Sequence, residues 1–347
     1  MSQKRLNPHF LLILAVLLAA AAGCKEKSTQ PAASQNNKKP TFHMLTHGIA
    51  GDVFWATACK GWLDACELYG IDGKFIPVRM EDNVAEMLGN LETVVAHGSD
   101  GIACPISDYK MLENPLKLAV GNGIPVVAVN TKDARPPGQR IPYLIYIGEN
   151  SYETGKANAE AVLKKFSQLA GRPPKHAIYM VHAVGVQCVE ERGLGMQEVF
   201  EKSGTKFTKV ACKFNPTTTQ ETLRAFLANN TDVETVHSGC SQVACWSLQM
   251  LKQMGKLGNV NEPFKEGKVY VGGIDMDEML LQDIQRGDCV ATIDQQPYMQ
   301  GYYAAVVLHL YHKYRMLPAN DILTGPYLVD QSNAGQRIEQ LRQLSIK

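Results

Sequence analysis

Ala291-Thr292-Ile293-Asp294-Gln295-Gln296-Pro297-Tyr298-Met299-Gln300-Gly301-Tyr302 sets an apolar run directly against a polar cluster and a proline. Residues 290–293 are a short apolar run rich in β-branched side chains, the pattern of a buried strand's end. Asp294, Gln295 and Gln296 follow at once, and Pro297, which has no amide hydrogen, stops the strand from continuing as a paired ladder. Two readings fit these residue types: a loop opening a helix at Met299, or a polar strand end that holds a ligand. The rest of the chain decides between them.

Upstream of it, apolar runs alternate with amphipathic segments throughout residues 41–293. Strands are expected at 42–45, 74–78, 101–105, 125–129 and 144–147, with helices at 54–69, 84–95 and 112–120 between them. Cys59, Trp62, Cys66 and Tyr69 form one stripe of the first helix, and Gly70 stops it. Asn150-Ser151-Tyr152-Glu153 caps a helix to about residue 169, and Gly171-Arg172-Pro173-Pro174 breaks the chain. The same grammar then restarts, with strands at 177–181, 207–212, 234–238, 269–274 and 290–293. Helices at 189–203, 223–228, 242–254 and 276–286 separate them, the second opened by a Thr218/Glu221 capping box. Strand and helix alternating in this way imply an α/β protein with two doubly wound parallel sheets. Gly121-Asn122-Gly123 closes a helix and opens none, so it is a turn and no phosphate loop.

At 347 residues the chain suits two domains of about 150 residues. Net charge is +1, from 35 basic and 34 acidic side chains with no long basic run, which argues against nucleic acid as a partner. The N-terminus reads as a targeting segment: Lys4 and Arg5, an apolar stretch over 10–22, then Ala21-Ala22-Gly23-Cys24. That stretch is too short for a permanent membrane span. Small residues directly before Cys24 resemble a bacterial lipobox, with 1–23 as signal peptide and Cys24 lipidated; an ordinary secretory signal with an incidental cysteine is the alternative. Residues 24–40 are polar and proline-containing, and suit a flexible tether. The remaining cysteines contain no CxxC pair, so no zinc knuckle or redox motif is expected, and their pairing is open. Cys59 and Cys66 share a helix face but stand roughly 10 Å apart, too far for a bridge.

In doubly wound sheets, ligands sit beyond the carboxyl ends of the strands. Those ends read Thr46-His47, Asn130-Thr131, Gly148-Glu149-Asn150, His182, Ser238-Gly239-Cys240, Asp275 and Asp294-Gln295, with Phe54 and Trp55 close to the first. Rings that pack on C–H faces, beside carboxylates and amides that take hydroxyls, are what a hydroxylated small molecule needs. Asp275 has a second reading as a helix cap, and His47 as a partner of a backbone carbonyl. His309 and His312 lie three apart on a helix with no third metal ligand in view, so a surface role is expected and no metal or cofactor.

Four segments carry a resemblance: Thr46-His47-Gly48 with Asp52-Val53-Phe54-Trp55, Glu149-Asn150-Ser151-Tyr152-Glu153-Thr154-Gly155-Lys156, Ala291-Thr292-Ile293-Asp294-Gln295-Gln296-Pro297-Tyr298 and Gly325-Pro326-Tyr327-Leu328-Val329. In order and spacing they resemble the type I periplasmic sugar-binding proteins of ABC importers, the ribose-binding-like group, over nearly the whole chain from Thr41. The resemblance implies two lobes, 41–149 with 296–325 and 150–295 with 326–347, joined by three crossovers near Glu149, Gln295 and Pro326. It implies closure around one monosaccharide-like ligand, and Asp52, Phe54, Trp55, Asn130, Phe214, Cys240, Asp275 and Gln295 as contacts; Asp294 and His47 join them as candidates from the strand ends. The family's ligand arginine aligns with Glu190, two residues before Arg192, and Arg192 is the expected contact. Cys240 stands where an asparagine is common, a departure that points away from ribose.

The function implied is a monomeric lipoprotein, anchored on the exterior or periplasmic side of a membrane, that passes a sugar or polyol to an ABC permease. A chemosensory or quorum-signal receptor for a furanosyl signal is the alternative. No Ser-His-Asp motif, phosphate loop or dinucleotide fingerprint is present, so no enzyme is expected.

Overall fold

The computed structural model describes residues 39–344; the expected signal peptide, Cys24 and most of the tether lie outside the described residues. Twelve strands form two six-stranded sheets. The first sheet has the order β11-β5-β4-β3-β1-β2, where β1 is Thr41–Ile49, β2 Asp72–Val78, β3 Gly101–Cys104, β4 Val126–Val129, β5 Tyr146–Glu149 and β11 Ile322–Gly325. The second has the order β12-β10-β9-β8-β6-β7, where β6 is His176–Val181, β7 Lys206–Ala211, β8 Val233–Ser238, β9 Tyr270–Ile274, β10 Ala291–Asp294 and β12 Tyr327–Val329. Every pairing is parallel except β10 with β12. Residues of β3 and β4 are buried throughout, because helices cover both faces of the sheet and leave no side for polar alternation.

The helices that matter for the site start at strand ends. They are α1 (Val53–Tyr69), α2 (Val84–His97), α3 (Tyr109–Gly121), α4 (Ser151–Ala170), α5 (Gln187–Lys202), α6 (Pro216–Asn229), α7 (Ser241–Gln253), α8 (Glu278–Arg286), α9 (Pro297–Tyr314) and α10 (Ala334–Leu344). Gly70 ends α1 in a left-handed conformation, its N–H on the Cys66 and Glu67 carbonyls. Asn150 caps α4 by accepting the Glu153 N–H. Of the boundaries that differ from expectation, two helix starts have a clear local cause. Helix α6 starts at Pro216, because the Asn215 side chain takes the Thr218 N–H and makes Asn215 the cap. Helix α9 starts at Pro297, where a first-turn proline loses no helical hydrogen bond.

Two helix pairs cross on glycines. A Cβ on Gly61 or Gly301 would run into the backbone of Tyr298 or Ala58, so these glycines set the approach of α1 and α9. Gly155 and Gly195 do the same for α4 and α5, facing the backbone of Arg192 and Tyr152. Phe42, Met44, Trp62, Val127, Ile147 and Leu308 fill the core under the first sheet. Ile178, Met180, Val236, Leu248 and Val271 fill that under the second.

The chain changes sheets three times: after Glu149, after Asp294, and between Gly325 and Tyr327. The opening stretch is therefore the end of an inner strand followed by a passage to the other sheet. Among the described residues all eight cysteines are free, no group of side chains is arranged to hold a metal, and no helix is long and apolar enough to cross a membrane. The His309 ring packs beside Tyr69 at 4.8 Å and the His312 ring against Phe42 at 5.8 Å.

Candidate functional site

The carboxyl ends of both sheets face one cavity. His47 from β1, Asp52, Phe54 and Trp55 around the start of α1, Glu81 and Asp82 from the turn after β2, and Asn130 beyond β4 line one side. Opposite stand His182 beyond β6, Cys188 and Arg192 on α5, Phe214 before α6, Cys240 before α7, Asp275 beyond β9 and Gln295 beyond β10.

Backbone conformation explains how these ends reach the cavity. Asp82, Asn130, Asp275 and Gln296 all have positive φ, between 55° and 70°. Each left-handed residue costs about 1–2 kcal/mol, least for Asn and Asp, whose short polar side chains bond locally. Such outliers collect at functional sites, and here three of the four turn a strand or turn end toward the cavity.

Arg192 is the cavity's fixed point. Its Nε and Nη2 donate to Glu149 Oε1 at 2.9 and 2.5 Å, and Nη1 donates to the Gly239 carbonyl at 2.8 Å. Glu149 Oε2 accepts from the Thr154 hydroxyl at 2.6 Å, and both charged residues are buried. Around this pair the ionisable groups shift. Burial and then Arg192 push His47 down to about 4 and His182 down to about 3, so both imidazoles are neutral at pH 7. His47 Nδ1 bonds the Ser107 hydroxyl at 2.8 Å. Burial raises Asp275 to about 7, with Arg192 opposing. Burial and the charge of Asp52 raise Glu81 to about 8 and Asp82 to about 6, and burial raises Asp52 as well.

Amides and rings complete the wall. Gln295 donates to Asp275 Oδ1 at 2.5 Å and accepts a long bond from Asn130 at 3.4 Å. Asp52 caps α1 by accepting the Trp55 N–H, and its second oxygen accepts from Gln242 of α7 at 2.7 Å, a bond that spans from one sheet's side to the other's. Trp55 is buried edge-on against His47 and Phe54, at 5.1 and 4.9 Å between ring centres. Phe214 stands beside His182 and Trp246. Cys240 contributes a buried thiol that burial keeps protonated, and it makes no cap bond to α7.

The structure brings together at this cavity His47, Asp52, Phe54, Trp55, Asn130, Arg192, Phe214, Cys240, Asp275 and Gln295. Asp294 is not among its lining: alternation along β10 turns it the other way, where Oδ1 accepts the Gln296 N–H at 2.7 Å and Oδ2 lies 3.8 Å from Arg337. Asp275 does not cap α8, because Asp277 does. Glu190 pairs with Lys209 and the Gly185 N–H on the outer side of α5. Glu81, Asp82 and Cys188 line the cavity without having been singled out as contacts, and His182 appeared only in the roll of strand ends. The strand-end rule, applied to β2 as to its neighbours, points to Glu81 and Asp82.

Comparison with known proteins agrees with this architecture. The profile of the periplasmic binding protein domain matches residues 43–313. A xylose/arabinose-binding protein of Sulfolobus acidocaldarius is 26% identical over 278 residues, which are 78% of this chain and 66% of that protein. The chain thus spans about two thirds of that relative's length. Among solved structures, a carbohydrate transporter from Acidothermus cellulolyticus in complex with myo-inositol is 25% identical, with a TM-score of 0.76 over 89% of this chain and all of that one. A carbohydrate transporter solute-binding protein from Agrobacterium radiobacter, in complex with D-arabinose, shares the fold at 18% identity, with a TM-score of 0.77 over 88% of this chain and 99% of that one.

Proposed function

The chain belongs to the periplasmic binding protein family, a family of solute binders and not of enzymes, and from that premise we propose that it captures a monosaccharide or related polyol and hands it to an ABC permease. The observation that carries the reading is the cavity itself, in which rings, carboxylates and amides from the ends of both sheets converge. Relatives that bind xylose or arabinose and myo-inositol support the same ligand class. A micromolar complex needs about −8 kcal/mol. Hydrogen bonds to charged groups contribute about 1.5–3 kcal/mol each, so four or five of them with ring packing reach it.

In this reading residues 41–149 with 296–325 form one lobe and 150–295 with 326–347 the other. Ligand contacts from both favour the closed state, as a hinge requires. Gln242 on Asp52 supports such a closed state from the protein side. Cys24 carries a lipid that keeps a monomer at the outer face of the membrane. The test is a melting-temperature screen of sugars and polyols with the parent chain, Asp275→Ala and Trp55→Ala. A ligand that stabilises the parent and neither variant supports the site. Undiminished stabilisation of both variants would sink it.

A further inference from the structure

We propose that the ligand is a polyol bearing a protonated amine, an amino sugar or aminocyclitol, held with its ammonium group between Glu81, Asp82 and Asp275. This rests on the sugar-or-polyol reading of the cavity and narrows it.

The argument is one of charge. Four carboxyl groups line the cavity, Asp52, Glu81, Asp82 and Asp275, against a single guanidinium, that of Arg192. Arg192 is already committed, since three of its N–H groups point at Glu149 and the Gly239 carbonyl. His47 and His182 bring no charge at neutral pH. Asp52 uses both oxygens, on the Trp55 N–H and on Gln242.

The other three carboxyl groups have acceptor capacity left over. Asp82 Oδ2 is buried and accepts no hydrogen bond, while its Oδ1 lies 3.8 Å from a neutral His47. Glu81 places Oε2 on the Ile49 N–H, and Asp275 places Oδ1 on Gln295. Burial and then Asp52 raise both Glu81 and Asp82, and Asp82 and Asp275 add to the repulsion on Glu81. Like charges gathered in a desolvated space are costly, and either bound protons or an arriving cation must offset them. A neutral polyol supplies hydroxyl donors and leaves the protons in that role. An ammonium group supplies three donors and a positive charge together.

Proton release follows. With Glu81, Asp82 and Asp275 held near 8, 6 and 7, the empty cavity carries extra protons at neutral pH. An arriving ammonium group favours the ionised forms and expels those protons, which a neutral polyol does not.

The experiment is titration calorimetry of the full chain at pH 7, in two buffers of different ionisation enthalpy. The ligands are three matched sets: glucosamine, N-acetylglucosamine and glucose; galactosamine, N-acetylgalactosamine and galactose; amino-inositol and myo-inositol. In at least one set the amine should bind about tenfold or more tightly than its neutral partners, with buffer-dependent heat that reports proton release. Asp82→Asn and Glu81→Gln, verified as folded by circular dichroism, should lower the amine's affinity about tenfold or more and the neutral partner's by clearly less, so that the gap between them closes. A neutral member that binds as well as its amine overturns the inference and leaves the sugar-or-polyol reading standing. No binding by any member of the sets overturns both. Equal loss of amine and neutral binding in the two variants also overturns the inference, as does an equal stabilisation by calcium chloride alone.

Discussion

Arg192 and Glu149 form a buried ion pair at the first passage between the sheets, and its energetics can be worked from the structure. Arg192→Leu would leave the Glu149 carboxylate buried with the Thr154 hydroxyl as its one side-chain donor. Breaking a buried pair from one side costs about 3–5 kcal/mol, because the survivor keeps its desolvation penalty without its partner. Glu149→Leu strands the guanidinium on the Gly239 carbonyl and costs a similar amount. Replacing both removes both charges. What remains is the Thr154 hydroxyl and the Gly239 carbonyl, each worth about 1–3 kcal/mol if left unsatisfied. The double variant is therefore expected to be no less stable than either single one, with a coupling free energy of about 2 kcal/mol or more. Urea unfolding of the parent and the three variants measures it. Additive losses, with a coupling below about 0.5 kcal/mol, would refute the view that the pair acts as a unit. All three variants should also bind ligand more weakly, since Arg192 is part of the cavity wall.

Gly155→Val places side-chain atoms against the Arg192 backbone, so it should destabilise by about 1–3 kcal/mol and weaken ligand binding by displacing α5, both read from melting curves with and without ligand. Gln242→Ala removes the donor that crosses to Asp52, and should weaken ligand affinity about three- to tenfold in calorimetry and lower stability in urea by about 0.5–1.5 kcal/mol. Asp275 is raised from an ordinary carboxylate value of 3.8 to about 7, so the folded chain binds the proton that the unfolded chain has lost, and this group's contribution to stability falls as pH rises from about 4 to about 7. Asp275→Asn should remove that slope and be relatively more stable at pH 8 than at pH 4; an unchanged difference from the parent across this range would disprove the assignment.

The two sheets were legible because their information is periodic. Continuous apolar runs such as 126–129, separated by striped helices and glycine stops, leave few arrangements besides buried parallel strands. The strand-end rule then reached most of the cavity, since a doubly wound sheet brings its carboxyl ends together whatever the side chains are. Asp294 and Gln295 show where such reasoning loses resolution. Both sit at the end of β10, but a strand alternates its faces, so one residue points to the cavity and its neighbour to Arg337. Which of them faces inward depends on the register of β10 against β9 and β12, and pairing between distant strands leaves no local mark in either sequence. Arg192 was reached through resemblance, but its pairing with Glu149 was not, because that contact joins a strand end to a helix forty-three positions later. Asp82, Asn130 and Asp275 carry the remaining part of the answer in their residue types. Asn and Asp are the non-glycine residues that enter the left-handed region most readily, so at a strand's end they can both turn the chain and present an oxygen to what lies beyond. An acidic or amide residue there thus has a conformational reason to be present as well as a chemical one. In this chain the conformational role explains why the carboxyl groups can crowd one cavity, and their surplus over Arg192 is the property any ligand has to answer.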